Sequence, residues 1–128
     1  ATNITLANPT NKFNTVRSNG VDVSLRDADS INLGTTTITG ILGVIAAGNI
    51  TDSGVVDVIG ITTLTAGAAN DIDLNNPDNK FSTVNVLSAN NVTLVDSVGT
   101  IRLQISCTLT TLDVKATGTD TANSTINN

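Results

Sequence analysis

Asp71-Ile72-Asp73-Leu74-Asn75-Asn76-Pro77-Asp78-Asn79-Lys80-Phe81-Ser82-Thr83-Val84 echoes Asn3-Ile4-Thr5-Leu6-Ala7-Asn8-Pro9-Thr10-Asn11-Lys12-Phe13-Asn14-Thr15-Val16, so that Ile72 stands where Ile4 stood and Phe81 where Phe13 stood. The echo continues on both sides of this stretch. Val23-Ser24-Leu25-Arg26-Asp27 returns as Val92-Thr93-Leu94-Val95-Asp96, and Ile31-Asn32-Leu33 returns as Ile101-Arg102-Leu103. Leu42-Gly43-Val44 returns as Leu112-Asp113-Val114. The offset drifts by one position at a time, as single insertions between matched segments would make it, and loops tolerate such insertions. Both Phe and both Pro fall at equivalent places. The chain therefore reads as one segment, 1–128, built from two long units, about 1–68 and 69–128, the second incomplete.

Inside each unit runs a shorter beat. Aliphatic pairs separated by one residue recur as Ile4/Leu6, Val23/Leu25, Ile31/Leu33, Leu42/Val44, Val56/Val58, Ile72/Leu74, Val84/Val86, Val92/Leu94, Ile101/Leu103 and Leu112/Val114. Such alternation turns one face of a short strand inward and leaves Thr, Ser, Asn and Asp outside. Turn formers lie between the pairs, among them Asn19-Gly20, Gly34, Gly40, Gly48-Asn49, Gly60, Gly67 and Asn90-Asn91. A sandwich needs strands long enough to cross a sheet and has no use for internal repetition. A solenoid needs the repetition, because each coil buries its inner face only against its neighbours. The expected fold is an all-β solenoid of five to six coils, with about three coils of roughly 23 residues in each long unit. At ~4.8 Å per coil the rod is roughly 26 Å long. Ile72, Leu74, Phe81, Val92, Leu94, Ile101 and Leu103 are expected to point inward, with their first-unit equivalents stacked in the same registers.

Composition narrows the function. Hydrophobic residues make up 39% of the chain but aromatics only 2%, so Val, Ile, Leu and Ala must fill a narrow interior. Net charge is −5, and the six basic residues are scattered along an acidic chain with only two Phe. That arrangement argues against nucleic-acid binding. No apolar run approaches the length of a membrane span. There is no His, and all eleven acids are Asp. His-based triads and imidazole metal sites are thus excluded as usually built, leaving no candidate catalytic residue, cofactor or metal. Cys107 stands alone in Gln104-Ile105-Ser106-Cys107-Thr108-Leu109, so no disulfide framework exists, and the alternation there predicts a small buried strand residue.

Three stretches invite a chemical reading. Asp71 and Asp73 flank Ile72, so a strand would place both carboxylates outward, with Asp78 following a turn. The first unit has Asn3 and Thr5 in their places, and the expectation is a solvated strand face. Thr37-Ile38-Thr39, Thr63-Leu64-Thr65 and Thr108-Leu109-Thr110 each point two hydroxyls out of a strand. Their uneven spacing does not make the regular ladder of an ice-binding face. Asn3, Asn49, Asn91 and Asn123 head Asn-x-Thr sequences, frequent by chance in a chain this rich in both residues.

Several of these stretches together resemble the long repeats of bacterial surface proteins of the filamentous haemagglutinin type. The matching stretches are Thr63-Leu64-Thr65-Ala66-Gly67 with Asn70-Asp71-Ile72-Asp73-Leu74 and Asn79-Lys80-Phe81, then Val23-Ser24-Leu25-Arg26-Asp27-Ala28, then Ala46-Ala47-Gly48-Asn49-Ile50-Thr51-Asp52-Ser53-Gly54. The likeness covers most of the chain and weakens after Thr100. It implies a right-handed parallel β-helix, export to the bacterial cell surface, and a place in a filament or adhesin shaft.

A solenoid leaves a row of unpaired strand edges at each end unless it is capped. Neither terminal region offers an amphipathic helix or a charged cluster. Head-to-tail stacking on copies of itself or on adjacent repeats is therefore expected. It would join the coil around Ile4 and Leu6 to that around Leu112, Val114 and Ile126. The alternative is a binding module whose flat Thr/Asn-rich face meets a surface glycan or a solid surface.

Overall fold

The computed structural model describes residues 2–98, 101–116 and 123–126, the last stretch through its backbone. It is an all-β solenoid of about six turns with every strand pairing parallel. Thirteen strands follow one another: β1 (Ile4–Leu6), β2 (Thr15–Gly20), β3 (Val23–Asp27), β4 (Ile31–Ile38), β5 (Leu42–Ala46), β6 (Ile50–Asp52), β7 (Val56–Thr65), β8 (Ile72–Leu74), β9 (Lys80–Ser88), β10 (Asn91–Asp96), β11 (Arg102–Ile105), β12 (Thr111–Ala116) and β13 (Asn123–Ile126). All ten aliphatic pairs read from the sequence lie in or directly beside these strands. No helix is found among the described residues.

The strands stack in three columns. The first holds β1, β3, β5, the second halves of β7 and β9, then β11 and β13. The second holds the starts of β2 and β4, then β6, β8, β10 and β12. The third holds the ends of β2 and β4 and the starts of β7 and β9. Long strands such as β7 turn a corner between columns. At one corner Gly40 and Gly60 stack so closely that a Cβ on Gly60 would collide with the Gly40 carbonyl. The interior is a single cluster of Val, Leu, Ile and Ala with Phe81, and the seven predicted core residues are all buried.

Two expectations are corrected. Stacked partners down the first column are Ile4, Val23, Leu42, Thr62, Val84 and Leu103, one per coil. Their numbering makes a coil roughly 20 residues long, shorter than the expected length of roughly 23. The long unit is then more than three coils and not a whole number of them. Equivalent residues consequently do not stack in the same registers: Ile4 and Val23 sit in the first column, Ile72 and Val92 in the second. What the units share is pairing. β1 on β3 is reproduced by β8 on β10, β3 on β5 by β10 on β12, and β2 on β4 by β9 on β11. The turns match too. Asn8 Oδ1 accepts from the Thr10 N–H and Asn76 Oδ1 from the Asp78 N–H, at 2.9 and 3.0 Å.

Cys107 is also placed differently from expectation. It lies in a bend after β11, half-buried against the core, because the chain leaves the strand at Ser106 to turn the corner. The same turn takes Thr108 and Thr110 out of any strand.

Candidate functional site

The open strand edges lie where the stacking residues were expected, at opposite ends of the rod. Among the described residues β1 pairs only with β3 and β2 only with β4, while at the other end β12 pairs only with β10 and β13 only with β11. Ile4 and Leu6 belong to β1. Leu112 and Val114 belong to β12, and Ile126 aligns with Ile105 through the backbone of β13. Ile4, Leu6 and Ile126 share the first column, whereas Leu112 and Val114 close the second.

Exposure shows what a missing neighbour does. Leu6 is 41% exposed, yet Leu25, its partner one coil in, is 1% exposed, and Val44 and Leu64 below it are fully buried. At the other end Leu112 and Val114 are half-buried, while Val92 and Leu94 beneath them are fully buried. These side chains continue the inward rows of the core, and among the described residues no further strand pairs beyond β1 or β12. Phe13 and Val16 share the first end with Ile4, and Leu109 and Ala116 likewise pack half-buried against the core. Val16 carries little signal in the sequence, because its unit has Ser18 where the other has Val86 and the alternating pair is broken.

The outer face of the second column is a hydrogen-bonded ladder. Ser30 Oγ accepts from the Asn49 N–H, Asn49 Oδ1 from the Asp71 N–H, and Asp71 Oδ1 from the Asn91 N–H and Nδ2. Thr111 Oγ1 donates to Asn91 Oδ1 at 2.7 Å. Asp71 therefore locks neighbouring coils together. Asp73 lies in the adjacent outward row, between Thr51 and Thr93. No group of three or more metal-ligating side chains is found among the described residues. The Thr pairs are divided between columns, with Thr37 in the third and Thr63 and Thr65 in the first.

Asp96 is a buried carboxylate. Burial pushes its pKa above the ordinary value of 3.8, and the backbone N–H groups of Phe81 and Val98 oppose that rise. Its counterpart Asp27 does the same capping work in the first unit, accepting the Phe13 N–H at 2.8 Å and the Asp29 N–H at 2.9 Å. Each carboxylate ties a Phe N–H to the end of a later strand, Phe13 to β3 and Phe81 to β10, a structural arrangement.

A family model described as "Repeats of unknown function (DUF5649)" matches residues 20–88, more than half of the chain. The chain belongs to that family. The matched DUF5649 stretch runs from the end of β2 to the end of β9 and is about as long as the internal unit. No curated protein matches the chain. No solved structure matches it either. No helix is long and apolar enough to cross a membrane among the described residues.

Proposed function

We propose that this chain is a structural repeat of an extracellular or bacterial cell-surface β-helical filament or adhesin shaft. In this reading it stacks end to end with copies of itself or with adjacent repeats and performs no catalysis. The observation that carries the proposal is the contrast between Leu6, 41% exposed, and Leu25, 1% exposed, one coil below in the same inward row. An uncovered strand edge with aliphatic side chains already in register is a template for another coil. Repeat proteins bury their cores by such neighbour contacts. Placement at the cell surface and the filament or adhesin role rest on the resemblance to filamentous haemagglutinin repeats. The absence of His and Glu from the sequence supports the non-catalytic reading. So does the use of Asp27, Asp71 and Asp96 as backbone acceptors.

Binding of a glycan or a solid surface through a Thr/Asn face is the second reading. It is less favoured, because Asn49, Asn91 and Thr111 on the second column's outer face bond to one another's coils. Small-angle scattering and negative-stain imaging of purified protein test the first reading. Head-to-tail contact does not close, so particles of this six-turn rod should lengthen in steps of roughly 29 Å. Stable single rods at all concentrations would overturn it, and a specific signal on a glycan array would favour the second.

A further inference from the structure

The three outer faces differ in kind. The second column points out Asn32, Thr51, Asp73, Thr93 and Asp113, and the third points out Asn19, Thr37, Asp57 and Lys80. On the first column, by contrast, Ile41, Ile45, Ile61 and Leu87 face solvent at 52, 44, 44 and 48% exposure. Ile41 also interrupts a ladder like that of the second column. Asn3 Oδ1 accepts from the Asp22 N–H and Asp22 Oδ1 from the Ile41 N–H, but the next rung is aliphatic. The matching position in the second unit is Thr111, which does bond to Asn91. Nothing in the coil geometry requires isoleucine there.

We infer that the outer face of β3, β5 and β7 is a lateral interface with a second copy of this chain, related by a two-fold axis parallel to the rod. Such an axis, passing through the middle outward row of Ser24, Gly43 and Thr63, sets the residues flanking that row opposite their mirror positions on the partner's equivalent strand. Ile41 then meets Ile45, and Asp22 meets Arg26. The charges select this partner. Arg26 is exposed and has no ion pair among the described residues. Asp22, just before β3, lies about 13 Å back along the chain, too far to pair within one chain. Each copy thus supplies one half of each of two ion pairs that only a second copy completes, an isologous contact. Gly43 leaves a shallow hollow on the axis beside Asn3, Thr5, Ser24 and Ile41, and a Cβ added at Gly43 would meet nothing within 4 Å. The contact is side to side, so it goes beyond end-to-end stacking and does not depend on it. A face a few coils tall is small for a stable interface, so a single pair should be concentration-dependent.

The test uses the full chain carrying Cys107→Ser, with one new cysteine introduced either as Gly43→Cys on the axis or as Thr37→Cys on the third column. A short bis-maleimide should link Gly43→Cys into a covalent dimer and leave Thr37→Cys monomeric. Equal linking at both positions would overturn the inference. Sedimentation of the wild-type chain should show a concentration-dependent dimer that Ile41→Thr with Ile45→Thr weakens at least tenfold, and that Arg26→Asp also weakens. A monomer throughout, or a dimer indifferent to these changes, would refute it. Scattering separates this contact from axial stacking: a thicker particle, whether or not it also lengthens, supports the lateral pair, whereas lengthening alone overturns it and supports stacking.

Discussion

Asp96 Oδ1 accepts the backbone N–H of Phe81 at 2.9 Å, holding the start of β9 to the end of β10. The carboxyl that does this is buried, and burial raises its pKa above 3.8 against the opposing pull of the Phe81 and Val98 N–H groups. Between the ordinary value and the raised one, the folded chain holds this proton more firmly than the unfolded chain does. This group's contribution to stability therefore falls as pH rises through that window and is constant above it. Asp96→Asn keeps an acceptor for Phe81 and removes the buried charge. Urea denaturation across pH should show the variant's stability, relative to wild type, increasing with pH over that window. A difference that is flat or declines with pH would contradict the assignment.

Phe81 is 4% exposed and stacks on Val58, filling the interior where the third column begins its last described rung. Phe81→Ala should cost about 3 to 5 kcal/mol, the range for truncating a buried aromatic. Phe13, its counterpart, is only half-buried at the open end, so Phe13→Ala should cost clearly less. Chemical denaturation of both variants measures the difference, and equal losses would count against the end assignment.

Thr62 interrupts an aliphatic row, with Leu42 above it and Val84 below. Its side-chain oxygen is buried without a hydrogen-bond partner. An unsatisfied buried hydroxyl is costly, so the near-isosteric Thr62→Val should stabilise the chain by about 1 kcal/mol. A fall in the urea midpoint would show that the hydroxyl has a partner.

Asn91 donates through Nδ2 to Asp71 Oδ1 at 2.9 Å. Asn91→Asp replaces that donor with a second carboxylate facing the first. Loss of the bond plus like-charge repulsion should cost about 1 to 3 kcal/mol at neutral pH. The loss should shrink in acid as the pair takes up a proton. Thermal melts at neutral and acidic pH would reveal it, and a loss independent of pH would rule out repulsion as its source.

Much of this fold is legible because the core alternates with period two. Wherever two aliphatics flank one polar residue, a strand or its edge is found. β2 is hard to read because its inward positions beyond Val16 are Ser18 and Gly20. β6 is hard to read because Ile50 is followed inward by Asp52, which caps the turn at Asn75 and Asn76 instead. The end residues proposed to stack are legible as inward positions of the first and last pairs. That they are half-exposed is not a property of their own sequence, since Leu6 and Leu25 carry the same side chain in the same alternation.

By itself, then, the sequence determined that this is a coiled stack of short parallel strands with an aliphatic interior and no His-based chemistry. Alternation, repetition and the missing residue types are local or compositional properties, and they survive without knowledge of contacts. Only the tertiary structure decided which strand lies on which. The long unit does not hold a whole number of coils, and that mismatch sends Ile4 and Ile72 to different columns although their neighbourhoods read alike. Closure depends on how each corner turns, as at Gly40 and Gly60, and on hydrogen bonds that reach a full coil ahead. The same closure gathers Ile41, Ile45, Ile61 and Leu87 onto one outer face, where side chains distant in the chain become neighbours only because the coils stack.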